Sequence, residues 1–249
     1  MQTISVVIPA YNEEGRLPKT LAALQKYSQR SEATWSITEV FVVDDGSKDQ
    51  TSSIVKKAQA TWANLRLLEL NTNQGKGAAV HEGLRQASGE WVLIADADMA
   101  TPWEELEKLW AVRDECDLAM GSRALPKSDI VVRQHWLRQS MGKSFNKILR
   151  SIVGLPFRDT QCGFKLLKNS PFFRTEILPY LQVARFAWDV ELILLLLRKK
   201  QRVLEVPIRW QHQEASRVHI VRDSFEMLWT VLKLKVRLST LSKTGSSSA

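Results

Sequence analysis

With 249 residues and a hydrophobic content of 44%, the chain can bury a full globular core, and one domain with appended helices is expected rather than two independent ones. Its formal net charge of +8 asks for an anionic partner, with nucleic acid, nucleotide phosphates and an anionic membrane face as the classes that qualify. Neither Cys116 nor Cys162 has metal-type spacing, which excludes a cysteine metal site and points to reduced thiols in a cytosol-facing protein.

Residues 4–9 form a short apolar run ended by Pro9, which reads as a buried strand of a parallel sheet. The run is too short for a signal peptide, lacks a basic lead and leads into Glu13-Glu14. A helix with Leu17, Leu21 and Leu24 on one face should follow. Glu39-Val40-Phe41-Val42-Val43 reads as a second strand, ending in Asp44-Asp45-Gly46, and Ser47-Lys48-Asp49-Gln50 has the spacing of a capping box that opens a helix. A third strand is expected at 65–70. Asn73-Gln74-Gly75-Lys76-Gly77 then turns into a helix with Ala79, Val80, Gly83, Leu84 and Ala87 inward. The fourth strand, 91–95, stops at Asp96-Ala97-Asp98, and Thr101-Pro102-Trp103-Glu104 reads as a capped helix start. A fifth strand is expected at 117–121. Strands alternating with helices make a doubly wound, mainly parallel α/β sheet.

Beyond Gly121-Ser122-Arg123 the pattern changes. From 130 to 158 there is no acidic residue, while Arg133, Arg138, Lys143, Lys147 and Arg150 alternate with Trp136, Leu137, Met141, Phe145 and Ile148. Such a basic amphipathic stretch suits a membrane surface or a packed face. A strand or loop at 159–167, a helix at 188–197, a strand at 203–210 and a last helix at 219–241 complete the chain. The apolar run at 192–197, closed by Arg198-Lys199-Lys200, is too short to span a bilayer.

The chemistry is expected at Asp96 and Asp98. In an extended segment residues two apart point the same way, and two carboxylates at the carboxyl edge of an open α/β sheet suit Mg2+ or Mn2+ bound together with substrate phosphates. Asp44-Asp45 is compatible with a tight turn plus helix cap, or with carboxylates that accept hydrogen bonds from a base or ribose. Gly75-Lys76-Gly77 is compatible with a plain turn, or with Lys76 meeting a phosphate. The turn after the first strand lacks a dinucleotide glycine fingerprint.

Pro9-Ala10-Tyr11-Asn12-Glu13-Glu14, Val43-Asp44-Asp45-Gly46-Ser47, Gly75-Lys76-Gly77, Asp96-Ala97-Asp98 and Gly121-Ser122-Arg123 resemble, in order and spacing, the motifs of inverting nucleotide-diphospho-sugar transferases of the GT-A fold, glycosyltransferase family 2. Asp159-Thr160-Gln161-Cys162-Gly163-Phe164-Lys165-Leu166 and Trp188-Asp189-Val190-Glu191-Leu192 are similar to the dolichyl-phosphate glucosyltransferase-like branch. The resemblance covers residues 4–217. It implies transfer of a sugar, glucose above others, from a nucleotide donor to a polyprenyl phosphate, with a UDP-sugar favoured over a GDP-sugar. It further implies that Pro9, Tyr11, Glu13, Asp44, Asp45 and Lys76 bind the nucleotide and that Asp96 and Asp98 hold the metal. Arg123, Arg138 and Arg217 are implied at donor or acceptor phosphates. Gly142 departs from the pattern, standing where relatives often carry serine.

On this reading residues 1–218 are the catalytic domain, with 128–158 as acceptor- or membrane-facing helices, 219–241 an amphipathic helix and 242–249 a disordered tail. The protein is expected to sit peripherally on the cytoplasmic face of a membrane, through amphipathic helices or a membrane-protein partner. A phosphate monoester, with a second pKa of about 6, is already largely ionised at neutral pH and needs cations rather than a strong base. A rival reading has a lipid or glycan hydroxyl as acceptor, with Asp189 or Glu191 as base. Another is a non-catalytic nucleic-acid-binding module, against which the acidic loops count; no nucleic-acid partner is expected.

Overall fold

The structure, a computed structural model, describes residues 1–30, 34–132, 151–211, 213 and 220–244, with backbone only at 132, 220–225 and 239–244. Arg138, Arg217 and most of the basic stretch expected to face a membrane lie outside the described residues, as do Gly142 and the tail from 245.

The strands and helices follow in chain order as β1 (Gln2–Ala10), α1 (Leu17–Ser28), β2 (Trp35–Asp44), α2 (Thr51–Gln59), β3 (Leu65–Glu69), α3 (Lys76–Gln86), β4 (Trp91–Ile94), α4 (Leu106–Ala111), β5 (Leu118–Ser122) and β6 (Asp129–Val132). After these come β7 (Lys165–Lys168), α5 (Pro171–Glu176), α6 (Trp188–Arg198), β8 (Val203–Pro207), β9 (Arg209–Gln211) and α7 (Ile220–Thr244). Seven strands form one sheet in the order β3-β2-β1-β4-β7-β5-β8, and β6 pairs with β9 separately. Within the large sheet only β7 runs antiparallel, wedged between β4 and β5, so the mainly parallel α/β expectation holds.

Strand alternation divides the core into two layers. Along β1, Ile4, Val6 and Ile8 join the layer with Leu17, Leu21 and Leu24 of α1 and Leu106 and Leu109 of α4, while Val7 faces Ala79, Val80 and Leu84 of α3 and the α6 and α7 side. This period of two is what a strand buried on both faces requires. The strand order reverses at β1, whose neighbours are β2 and β4. A crevice therefore opens beyond the carboxyl ends of β1, β2 and β4, the place where open α/β sheets bind ligands.

Two helix starts differ from expectation. Ser47 does not cap a helix; its hydroxyl donates to Asp44 and accepts from the Asn12 N–H, and α2 begins at Thr51, whose N–H donates to Asp49 Oδ1 at 3.0 Å. Thr101 makes no cap either. Pro102 is extended, and a 3-10 turn, Trp103–Glu105, leads into α4. The Trp103 ring in that turn is buried and packs 6.4 Å from that of Phe164.

Candidate active site

The loop after β1 is stitched to the loop after β2. Glu13 N–H donates to Thr51 Oγ1 at 2.7 Å, and Lys48 N–H donates to Asn12 Oδ1 at 2.7 Å. Asp44 is spent inside this weave, accepting from Ser47 and Ser52. Asp45 in turn holds the loop after β3, accepting from Gln74 N–H at 2.7 Å, Gly75 N–H at 2.8 Å and Asn73 Nδ2 at 2.9 Å. Burial raises the Asp45 pKa, against the pull of those two N–H groups. Both carboxylates thus position loops that face the crevice. Pro9 is buried as the next-to-last residue of β1, and Tyr11 stands half-buried just beyond the strand. Glu13 is clamped by Arg16, which donates from Nε at 2.6 Å and reaches to 3.9 Å from Asp98.

Gly75 is the hinge that brings α3 into the site. Its φ of +111° is open to glycine, and a Cβ there would lie 2.6 Å from the Ala184 carbonyl oxygen. The packing points Lys76, at the first turn of α3, directly at Asp96, with which it forms an ion pair. Burial works against the Asp96 charge, but Lys76, Lys165 and Arg123 outweigh it and hold its carboxyl below the usual range. Asp98 sits in a turn rather than on an extended edge: Met99 has φ +54°, and Ala100 N–H donates to Asp98 Oδ1 at 3.0 Å. Burial and then the neighbouring Asp96 charge push the Asp98 pKa up, so the two carboxylates feel each other although their backbones diverge.

That pair fits a divalent metal. Its donors are hard oxygens, and the mutual repulsion of the two carboxylates is what a cation relieves. Among the described residues there is no group of three or more His, Cys, Asp or Glu side chains that could hold a metal ion.

The far wall comes from the segment before β7. Gly163 lies against Asp96. Arg123, at the end of β5, donates to Asp159 from Nε at 2.7 Å and from Nη2 at 2.9 Å and stacks 5.5 Å from the Trp210 ring. Burial disfavours both charges, yet the pair wins, raising the Arg123 pKa and lowering that of Asp159. The fork uses the Nε and Nη2 edge of the guanidinium, and among the described residues Nη1 makes no hydrogen bond. Sequence reasoning missed Asp159 as this partner and missed Lys165 altogether. Lys165 is fully buried, donates to the Cys162 carbonyl, stands 4.0 Å from Asp189 and lies over the Trp188 ring at 5.3 Å. The signal available was the Lys165 and Asp189 placement within two quoted motifs.

Of the two candidate bases, Glu191 is fully buried and is held by Gln182 N–H, Val183 N–H and Arg237. Both of its carboxylate oxygens are engaged by these donors. Asp189 is nearly enclosed, its pKa raised by burial against the pull of Lys165.

A family model described as glycosyl transferase family 2 matches residues 5–173. The chain belongs to that family. It is 31% identical to a dolichyl-phosphate beta-glucosyltransferase of Dictyostelium discoideum over 94% of this chain and 74% of that one, and 36% identical to the human protein of that name over 95% and 76%. Its fold is that of the Mycobacterium tuberculosis glucosyl-3-phosphoglycerate synthase complexed with UDP, with a TM-score of 0.68 at 18% identity over 94% of this chain and 80% of that one. The same synthase complexed with Mn2+, UDP-glucose and phosphoglyceric acid gives a TM-score of 0.66 at 17% identity, with the same coverage. The family 2 membership and the GT-A fold that the motifs implied are therefore correct.

Proposed function

We propose that this protein transfers glucose, with inversion, from UDP-glucose to a polyprenyl phosphate at the cytoplasmic face of a membrane. The observation that carries the reading is the convergence of the Asp96 and Asp98 pair with three cations, Lys76, Arg123 and the buried Lys165, on one crevice. Two anions must meet in this reaction, the departing diphosphate and the attacking phosphate. Asp96 and Asp98 would hold Mg2+ or Mn2+, which neutralises charge on the leaving diphosphate.

The remaining tasks fall to the chain itself. Pro9, Tyr11, Glu13, Asp44 and Asp45 shape the nucleoside wall, with Asp44 and Asp45 fixing its loops. Lys76, ion-paired with Asp96, would meet a donor phosphate, and Asp96 outweighs burial to raise its pKa overall. Arg123, fixed in direction by Asp159, offers its free edge to the acceptor phosphate, and Arg138 and Arg217 are proposed to complete that cradle. No protein base is required, because the acceptor is already ionised near neutral pH. That agrees with the enclosure of Glu191.

The test is transfer of radiolabel from UDP-glucose or GDP-mannose to polyprenyl phosphate or diacylglycerol. Organic-extractable label from UDP-glucose with polyprenyl phosphate alone is expected. Label on diacylglycerol instead would move the acceptor to a hydroxyl.

A further inference from the structure

The helix α7 is apolar on two opposite sides. Inward, Val231, Leu234 and Leu238 are buried at 0%, 2% and 1% exposure. Outward, Trp229, Leu232 and Val236 are exposed at 61%, 40% and 65%. With about 100° of turn per residue, the second set lies diametrically across the helix from the first. A surface helix ordinarily presents polar side chains where these three stand. Cations border them. Lys233 lies over the Trp229 ring at 5.3 Å, and Lys235 is exposed. Behind Lys233, a groove of about 400 Å³ between α7 and the 182–185 segment is lined by Arg185, Arg237 and Leu234. Of the two carboxylates of α7, Asp223 and Glu226, Glu226 is already 3.5 Å from Arg185, and the charges that flank the three exposed apolar side chains, Lys233 and Lys235, are positive.

We infer that this outward face of α7 docks on an anionic lipid bilayer, with Trp229, Leu232 and Val236 entering the headgroup boundary and Lys233 and Lys235 reaching lipid phosphates. The inference rests on the polyprenyl-phosphate reading and names the surface through which that acceptor is approached. Tryptophan and lysine are the pair an interface selects, one for its amphipathic ring and the other for a long stem that carries its charge to the phosphates. A second copy of the chain is the poorer occupant. Two-fold pairing of this face would gather the Lys233 and Lys235 charges of both copies in one interface.

Flotation with phosphatidylcholine vesicles, with and without phosphatidylserine, tests this on the full chain. Wild type should float with the anionic vesicles and lose binding in high salt. Trp229→Ser combined with Leu232→Ser and Val236→Ser should bind at least roughly tenfold more weakly, as should Lys233→Glu with Lys235→Glu. Because Cys116 and Cys162 are buried, an environment-sensitive dye on Leu232→Cys should shift to the blue on anionic vesicles, whereas one on Glu115→Cys should not. Equal flotation of wild type and both variants, or no dye shift, overturns the inference. So does a wild-type dimer in ultracentrifugation that dissolves in the triple serine variant. Transfer to a short, water-soluble polyprenyl phosphate without vesicles separates the two readings. There the triple variant should match wild type, and a wild type inactive in that assay removes the catalytic reading while leaving the flotation result to judge the face.

Discussion

Gly163 forms the floor beneath the Asp96 carboxylate: a Cβ built at Gly163 would lie 2.1 Å from Asp96 Oδ2. The close approach links the segment before β7 to the loop after β4, and it exists only because position 163 has no side chain. Gly163→Ala must push Asp96 aside, and the half-exposed Asp96 side chain can yield. The expected outcome is a loss of kcat/KM on the order of 100-fold with a small change in melting temperature. An active Gly163→Ala enzyme would show that Asp96 has no fixed place in the reaction.

Asp98→Asn should abolish turnover, and Asp96→Asn should reduce it less, since Lys76 compensates part of the Asp96 charge. Function and stability are expected to part here. Asp98 bears a partly buried charge beside another carboxylate, so its neutralisation should leave the melting temperature little changed or higher. Chelation of divalent ions should silence wild type in the same way, with recovery on adding Mg2+ or Mn2+. Wild-type activity in excess chelator would dismiss the metal.

For Arg123, the fork onto Asp159 separates charge from geometry. Arg123→Lys keeps the charge but cannot keep both Asp159 contacts and an open edge, and a loss of tenfold or more in kcat/KM is expected at about 1 kcal/mol or less in stability. Asp159→Asn should instead destabilise by about 1–2 kcal/mol, less than for a wholly buried pair because the Arg123 side chain is 32% exposed. Chemical denaturation beside steady-state kinetics distinguishes the two variants.

The contrast between Asp96 and Lys165 shows what could be read in the chain beforehand. Apolar runs located β1, β2 and β4, and those of β2 and β4, which stop at carboxylates, marked the acidic edge, because local pattern and crevice position coincide there. Lys165 carries no such mark. Its burial follows from β7 slotting antiparallel between β4 and β5, a pairing between segments remote in sequence, and a lysine beside Phe164 and Leu166 reads locally as the polar face of a strand. In the same way, Asp44 and Asp45 were visible as crevice residues while their loop partners Ser52 and Asn73 were not, since Ser52 belongs to no motif and Asn73 reads locally as part of a turn.

His81 provides a test of the fold independent of catalysis. It is buried on α3, its Nε2 has no hydrogen-bond partner among the described residues, and burial, followed by the nearby Arg85 charge, lowers its pKa to about 4. In the unfolded chain it titrates at its ordinary value, near 6.5. The folded pKa is the lower one, so between pH 6.5 and 4 the unfolded state binds the proton the folded state refuses. Stability is therefore fully present above the unfolded value and falls as pH drops, reaching a loss of roughly 3 kcal/mol from this group by the folded value. In His81→Leu that contribution disappears. Urea denaturation of both proteins across this window should give a stability difference that shifts steadily in favour of the leucine variant as the solution is acidified. Parallel curves would mean that His81 is charged in the folded protein and has found a partner inside it.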